Sequence, residues 1–258
     1  MTKPLQKIIT SLLSVLLCAT TGQTLSAKNA QSWYCKRQKD HVRPAIESDM
    51  AYIGQYGGTY LGKDEKVVYL TFDAGYENGN VERILDTLKK HGVEGAFFIL
   101  ENLIERNEAL VRRMEDEGHL VCNHTAKHKD LTALTCDEIE REVRALEECY
   151  KEKIGGELSH FFRPPEGKFN EESMKAVQSL GYTTVFWSLA YADWDNAKQP
   201  SPEYAKKLLN DNLHNGAIIL LHPTSATNAD ILDALITEWK AQGYRFGSLT
   251  ELGGETCE

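Results

Sequence analysis

The sequence predicts an α/β protein, an irregular (β/α) barrel of about seven units. Three observations lead there. Strand and helix signals alternate without a break from about residue 64, the strands read as near-continuous apolar runs, and the whole series fits into fewer than about 200 residues. Strands that are apolar throughout are buried on both faces, as in a parallel sheet covered by helices. So many units in so short a stretch suit a small barrel better than an open sheet.

The first core strand is Val67-Val68-Tyr69-Leu70-Thr71-Phe72. Val81, Ile84, Leu85 and Leu88 then recur at i, i+3, i+4 and i+7, a helical stripe that ends at Gly92. Ala96 to Leu100 is the next strand, a short helix follows around Leu110 and Met114, and His119 to Asn123 is a third strand. Thr135 and Glu138 form a capping box for a helix carrying Ile139, Val143, Leu146 and Tyr150. A strand near Phe161-Phe162, a helix from Asn170 to Leu180 closed by Gly181, and a strand from Thr183 to Trp187 come next. Pro202 opens another helix, and Ala217 to Leu221 is a strand as apolar as the first. A last helix bears Ile231, Leu232, Leu235, Ile236 and Trp239, before a short strand after Gly243.

The ends differ from this core. Lys3, Lys7, an apolar run from Ile8 to Ala19 and small residues ending near Ser26-Ala27 have the layout of a secretory signal peptide over residues 1–27. The run is shorter than the roughly 20 residues that span a bilayer. Leu17 before Cys18 argues against a lipoprotein. The chain is therefore expected to be secreted, or held at the membrane by an uncleaved signal. Residues 28–63 read as a polar, turn-rich leader docked on the core by Trp33, Tyr34, Tyr52, Tyr56 and Tyr60; the core domain spans 64–252 and a tail 253–258.

With 41% apolar and 26% charged residues, the 258-residue chain can bury a sizeable core, which excludes disorder and disulfide-dense miniproteins. The formal charge of −9 becomes about −11 without Lys3 and Lys7, which argues against nucleic acid and anionic lipid as partners. Beyond Cys18, an odd number of cysteines remains. Cys122 reads as a buried thiol, Cys136 and Cys149 flank a helix too far apart to pair, and Cys35 with Cys257 is the plausible pair.

In parallel α/β folds, functional residues gather at the carboxyl ends of the strands. Here those ends deliver Asp73, then His124 and His128, then Arg163, then Asp193 and finally His222 to one rim. Each has an ordinary explanation in isolation. Asp73 before Gly75 could cap a turn, the paired histidines could be solvated, Arg163 could form a surface ion pair, and His222 and Trp194 could be core residues. All must hold at once for the rim to be inert. On a helical turn His124 and His128 would face one way, as two metal ligands must. They would hold a divalent cation, most naturally zinc, that polarises a carbonyl and acidifies water. A nearby carboxylate takes the water's proton and an imidazolium protonates the leaving atom. An arginine keeps the base ionised, and a second carboxylate supports the acid histidine. This is metal-assisted hydrolysis of an amide or ester. No Walker loop, GxSxG or GxGxxG is present.

At these residues the chain resembles the polysaccharide deacetylases of the NodB-homology type, carbohydrate esterase family four, over roughly residues 64–252. Thr71-Phe72-Asp73-Ala74-Gly75 is similar to the family's TFDDG, His124-Thr125-Ala126-Lys127-His128 to H[ST]xxH, and Arg163-Pro164-Pro165-Glu166-Gly167 to RPPxG. Asp193-Trp194 resembles the DxW-like segment and Leu220-Leu221-His222 the LxH motif. A narrower likeness, in TFDAGYENG (Thr71 to Gly79), GYTTVFWSL (Gly181 to Leu189), Trp33 and Asp40-His41, is to the sporulation enzymes that de-N-acetylate muramic acid.

The resemblance implies a distorted (β/α) barrel with a groove at the strand carboxyl ends. It implies Asp73 as general base, His222 as general acid, His124 and His128 as metal ligands, Arg163 orienting Asp73 and Asp193 supporting His222. Tyr76, Pro165 and Trp194 would wall the sugar site. Its implied substrate is N-acetylmuramic acid in peptidoglycan strands already stripped by a muramoyl-alanine amidase, on the way to muramic δ-lactam in spore cortex. The enzyme would act as a monomer in the cell wall or the forespore intermembrane space. Two departures stand out. The family's second Asp, a third metal ligand, is Ala74 here (Asn in the muramic acid subgroup), so the metal should be held weakly. Glu166 puts a carboxylate near an anionic substrate. The competing readings are a non-catalytic wall-glycan-binding protein, and a deacetylase of another N-acetylated polymer such as chitin oligosaccharide or peptidoglycan N-acetylglucosamine.

Overall fold

The computed structural model describes residues 30–38 and 40–253. The expected signal peptide and Cys257 lie outside the described residues. Two short strands, β1 (Gln31–Ser32) and β2 (Gly58–Thr59), precede the first core strand, β3 (Val67–Ala74). Then come α1 (Asn80–His91), β4 (Gly95–Ile99), α2 (Glu101–Arg106), α3 (Glu108–Asp116), β5 (Leu120–Asn123) and α4 (Cys136–Lys153). The chain continues through β6 (Ser159–Phe162), β7 (Lys168–Phe169), α5 (Glu171–Ser179), β8 (Thr183–Val185), α6 (Pro202–Asn212), β9 (Ala217–Leu221), α7 (Ala226–Ala241) and β10 (Arg245–Phe246).

The core sheet is parallel throughout, in the order β9-β3-β4-β5-β6-β8. β10 extends it beside the start of β3, and β2 pairs with β8. The sheet curls back on itself beyond β8. The Ser188 amide donates to the Ile218 carbonyl at 2.9 Å, and Leu189 bridges to Ile219. This is the expected irregular (β/α) barrel, and it explains why β8 ends before Trp187: after Phe186, whose amide still donates to the Thr59 carbonyl of β2, the chain crosses to β9.

Strand alternation builds two layers of core. Val68, Leu70, Phe72 and Ala74 face outward into the layer under the helices, with the α1 stripe Val81, Ile84, Leu85 and Leu88. Val67 and Tyr69 face the barrel interior with Ala96, Phe98, Cys122, Val185 and Ile218. The same alternation points Thr71 and Asp73 inward, at the carboxyl end of that interior stack. Gly92 closes α1 in the left-handed region (φ 60°), and the Thr135–Glu138 capping box opens α4. α2 was not expected from the sequence. Its buried residues, Leu103 and Ile104, are adjacent and make no periodic stripe, and Asn107 (φ −138°) breaks it from α3.

Trp33 of the leader stacks on Phe186 at 4.5 Å and joins Met50, Ile53, Phe169 and Met174. β1 pairs antiparallel with β7 beside it. Tyr34 does not dock; it is exposed. Cys122 is a buried thiol, and Cys136 and Cys149 both belong to α4 and are free. Among the described residues no helix is long and apolar enough to cross a membrane.

Candidate active site

Asp73 and Arg163 make the first half of the site. Arg163 follows β6 and is fully buried, so it is no surface ion pair. It donates to Asp73 Oδ1 at 2.7 Å, to Thr71 Oγ1 at 2.9 Å and to the Val185 and Phe186 carbonyls at 2.9 and 3.3 Å. The Phe98 ring lies 4.1 Å below it. Thr71 Oγ1 donates in turn to the Ile219 carbonyl at 2.7 Å, which fixes its lone pairs toward Arg163. Burial alone would raise the Asp73 pKa. The charges of Arg163, and less so His124 and His222, outweigh it and hold the carboxyl below its ordinary value. Asp73 is therefore an ionised, oriented carboxylate.

His124 and His128 come next, and not on a helix. The segment after β5 bends through Thr125 (φ 72°) and His128 (φ 55°), both left-handed. Asn123 Oδ1 accepts from the Thr125 amide at 2.9 Å and Thr125 Oγ1 from the His128 amide at 3.0 Å. Glu142 of α4 holds the bend from outside: its carboxylate accepts from the Lys127 amide at 2.9 Å and pairs with Lys129 at 2.7 Å. The two imidazoles still converge, ring centroids 5.0 Å apart. His124 Nδ1 lies 2.8 Å from the Arg163 carbonyl, which can only accept, so Nδ1 carries the proton and Nε2 faces the cleft bare, 3.6 Å from Asp73 Oδ2. Burial lowers the His124 pKa to about 4, against the pull of Asp73. A neutral ring with one nitrogen tied to a carbonyl and the other free is the arrangement of a metal-ligating histidine.

His222, at the end of β9, forms the other half. Its Nδ1 lies 2.7 Å from Asp193 Oδ1, and its backbone amide donates to Asp193 Oδ2 at 2.8 Å. Asp193 is buried, and Asn228 donates to its Oδ2 at 2.6 Å and to the His222 carbonyl at 3.0 Å. Tyr191 in turn donates to Asn228 Oδ1 at 2.5 Å. Burial would lower the His222 pKa, but the Asp193 bond and charge, with Asp73 adding, raise it above its ordinary value. The ring therefore holds its proton more tightly than a free imidazole.

These groups share one open cleft of about 1010 Å³, lined by Asp73, His124, His128 and His222 with Trp187, Tyr191 and Trp194 among its walls. Trp194 is 62% exposed, its ring 6.2 Å edge-on to His222, so it is a wall rather than core. Tyr76 also lines the cleft, its hydroxyl accepting from Asn196 at 2.5 Å. Pro165 corrects an expectation: it is buried, and Glu166 and Gly167 stand at the lining instead. Glu166 is left-handed (φ 56°) and its carboxylate pairs with Lys168 at 2.8 Å, which offsets the charge it brings to the rim. Thr71, Glu142 and Asn228 were not expected from the sequence. Asn228 carried a signal, a polar residue three positions before Ile231 on the apolar stripe of the last helix.

Among the described residues no group of three or more His, Cys, Asp and Glu side chains is arranged to hold a metal. The donor set fits a divalent ion through the imidazoles of His124 and His128 alone, since the side chain at 74 is a buried methyl. A carboxylate base beside two imidazole donors, facing an acid histidine backed by a carboxylate, defines a site for hydrolysing an acyl bond.

Residues 61–185 match the family model for polysaccharide deacetylase, and the chain belongs to that family. It is similar to the peptidoglycan-N-acetylmuramic acid deacetylase PdaA of Bacillus subtilis (strain 168), 40% identical over 242 residues, 93% of this chain and 92% of PdaA. The solved structure of PdaA, a family 4 carbohydrate esterase, superposes with a TM-score of 0.84 over 88% of this chain and 98% of that one. A family 4 carbohydrate esterase from Bacillus anthracis matches at 34% identity and a TM-score of 0.73, covering 87% of this chain and 96% of its own. A pseudoenzyme of the same family, also from Bacillus anthracis, matches at 30% identity and a TM-score of 0.70 over 76% of this chain and 68% of that one.

Proposed function

We propose that the protein removes the N-acetyl group of N-acetylmuramic acid in peptidoglycan glycan strands. The observation that carries this is the pair of dyads, Asp73–Arg163 and His222–Asp193, on one open cleft of about 1010 Å³. The likeness to PdaA over nearly the whole of both chains supports the sugar. In the reaction Asp73 takes a proton from water as its oxygen attacks the acetyl carbonyl carbon. The tetrahedral adduct then loses its C–N bond, His222 gives its proton to the departing nitrogen, and acetate and a free amine result. When bound at His124 and His128, a divalent ion, most naturally zinc, supplies polarisation of the acyl oxygen and a more acidic water. The free amine next to the lactyl carboxylate is what a muramic δ-lactam requires. The reading therefore includes export to the cell wall or forespore intermembrane space, action as a monomer after a muramoyl-alanine amidase, and a role in spore cortex.

The test is acetate release from amidase-treated glycan strands with zinc, manganese or cobalt supplied. Release that disappears in Asp73→Asn and His222→Ala is expected. No release with any metal, at protein levels where PdaA works, rejects the reading.

One observation favours a second reading, a wall-glycan-binding protein without catalysis: Ala74 leaves only imidazole donors, and a family relative is a pseudoenzyme. Ala74→Asp separates the two. A third protein ligand should tighten zinc on the order of 100-fold, because a structural zinc site of ~10–16 kcal/mol divides into a few kcal/mol per ligand. Acetate release in the variant alone would favour the binding protein; release in both favours the enzyme.

A further inference from the structure

The leader segment brings Trp33, Tyr34, Cys35 and Arg37 to the cleft lining. Among the described residues Arg37 is the only lysine or arginine on that lining, and no carboxylate pairs with it. The chain carries 38 acidic side chains against 29 basic ones, and Arg43, Arg83, Arg113 and Arg245 each take an acidic partner. The two carboxylates of the lining are already held, Asp73 by Arg163 at 2.7 Å and Glu166 by Lys168 at 2.8 Å. The Arg37 charge is thus free for whatever enters. Its backbone is anchored just upstream, where the Trp33 amide donates to the Gly167 carbonyl at 2.8 Å and the indole N–H to the Trp187 carbonyl at 2.9 Å.

An open guanidinium beside a deacetylation site recognises a carboxylate on the sugar, with two parallel N–H···O bonds that a lysine cannot reproduce. N-acetylmuramic acid carries such a group on its lactyl ether, N-acetylglucosamine does not, and a stem peptide converts it to a neutral amide. Resting on the deacetylase reading above, we infer that Arg37 is the specificity-determining residue that reads the free lactyl carboxylate and so selects peptide-free muramic acid. A local cation is also what lets an anionic strand approach a protein of net negative charge.

The experiment compares peptide-free glycan strands with the same strands after their lactyl carboxyls are converted to carboxamides. Acetate release and calorimetric binding are measured for the wild type, Arg37→Ala, Arg37→Lys and Arg37→Glu. The wild type should prefer the free acid by about 10-fold in kcat/KM, mostly through KM, and added salt should shrink that preference. Arg37→Ala should abolish the preference, Arg37→Glu reverse it and Arg37→Lys keep part of it. A wild type without preference, or an Arg37→Ala protein that retains it, overturns the inference while leaving the deacetylase reading intact. If the wild type binds strands but releases no acetate, that reading fails, and the binding ratio of free acid to carboxamide still decides the role of Arg37.

Discussion

Replacing Asp193 with Asn keeps shape and removes charge, so it isolates what this carboxylate does for His222. Asp193 is buried and accepts three hydrogen bonds, from the His222 ring at 2.7 Å, the His222 amide at 2.8 Å and Asn228 at 2.6 Å. The two on Oδ2 come from groups that can only donate there, so the Asn amide oxygen must occupy that side. Its NH2 then faces His222 Nδ1 and forces that nitrogen to accept. The ring is driven to the opposite tautomer and loses its stabilising anion. A hydrogen bond to a charged group is worth about 1.5–3 kcal/mol net, which at 1.36 kcal/mol per pKa unit is about one to two units. Because Asp193 raises the His222 pKa, its loss must lower it. The alkaline limb of the kcat/KM profile for acetate release should move to lower pH by that amount, and kcat should fall by about 10²–10⁴. A fall in rate with the alkaline limb unmoved would refute His222 as the proton donor.

Three further outcomes follow from the same contacts. Arg163→Met strands Asp73 and leaves Thr71 and two carbonyls without a donor, costing about 3–5 kcal/mol, or roughly 6–20 °C in Tm for a chain of this size. The depressed Asp73 pKa should rise with it, so the acid limb of the rate profile should shift to higher pH; a melting temperature and limb both unchanged would contradict the buried pair. Glu142→Ala orphans the Lys127 amide under the histidine bend, an effect of about 1–3 kcal/mol, and should weaken zinc by about 10–100-fold in calorimetry. Glu142→Gln, which keeps the acceptor, should lose less. Trp33→Ala opens a cavity beneath the leader at a cost of about 3–5 kcal/mol; limited proteolysis should then cut between residues 33 and 38 in the otherwise folded protein, and protection there would mean that other contacts hold the leader.

Much of the fold could be read residue by residue. The α1 stripe is wholly buried, the capping box at Thr135 is in place, and the end of β9 at Leu221 agrees with the apolar run that predicts it. Where the reading failed, the deciding contact was distant. The histidine bend looked like a helical turn because spacing is blind to Glu142, which pins it from α4. β8 looked longer because only β9 reveals where the chain crosses over. The motif puts Pro165 on the sugar wall, whereas the left-handed turn at Glu166, which leaves no pattern in composition, brings Glu166 and Gly167 to the lining instead.

By itself the sequence determined the elements and the residue each strand carries to its end, because periods of two and 3.6 residues act within a few positions. Tertiary structure decided what those residues meet. Asp73 and Arg163 are joined across 90 positions, His222 and Asp193 across 29, and Arg37 arrives from a leader outside the barrel. Such meetings depend on strand order, on closure between Leu189 and Ile219 and on which groups burial strips of water, all of them properties of the assembled chain.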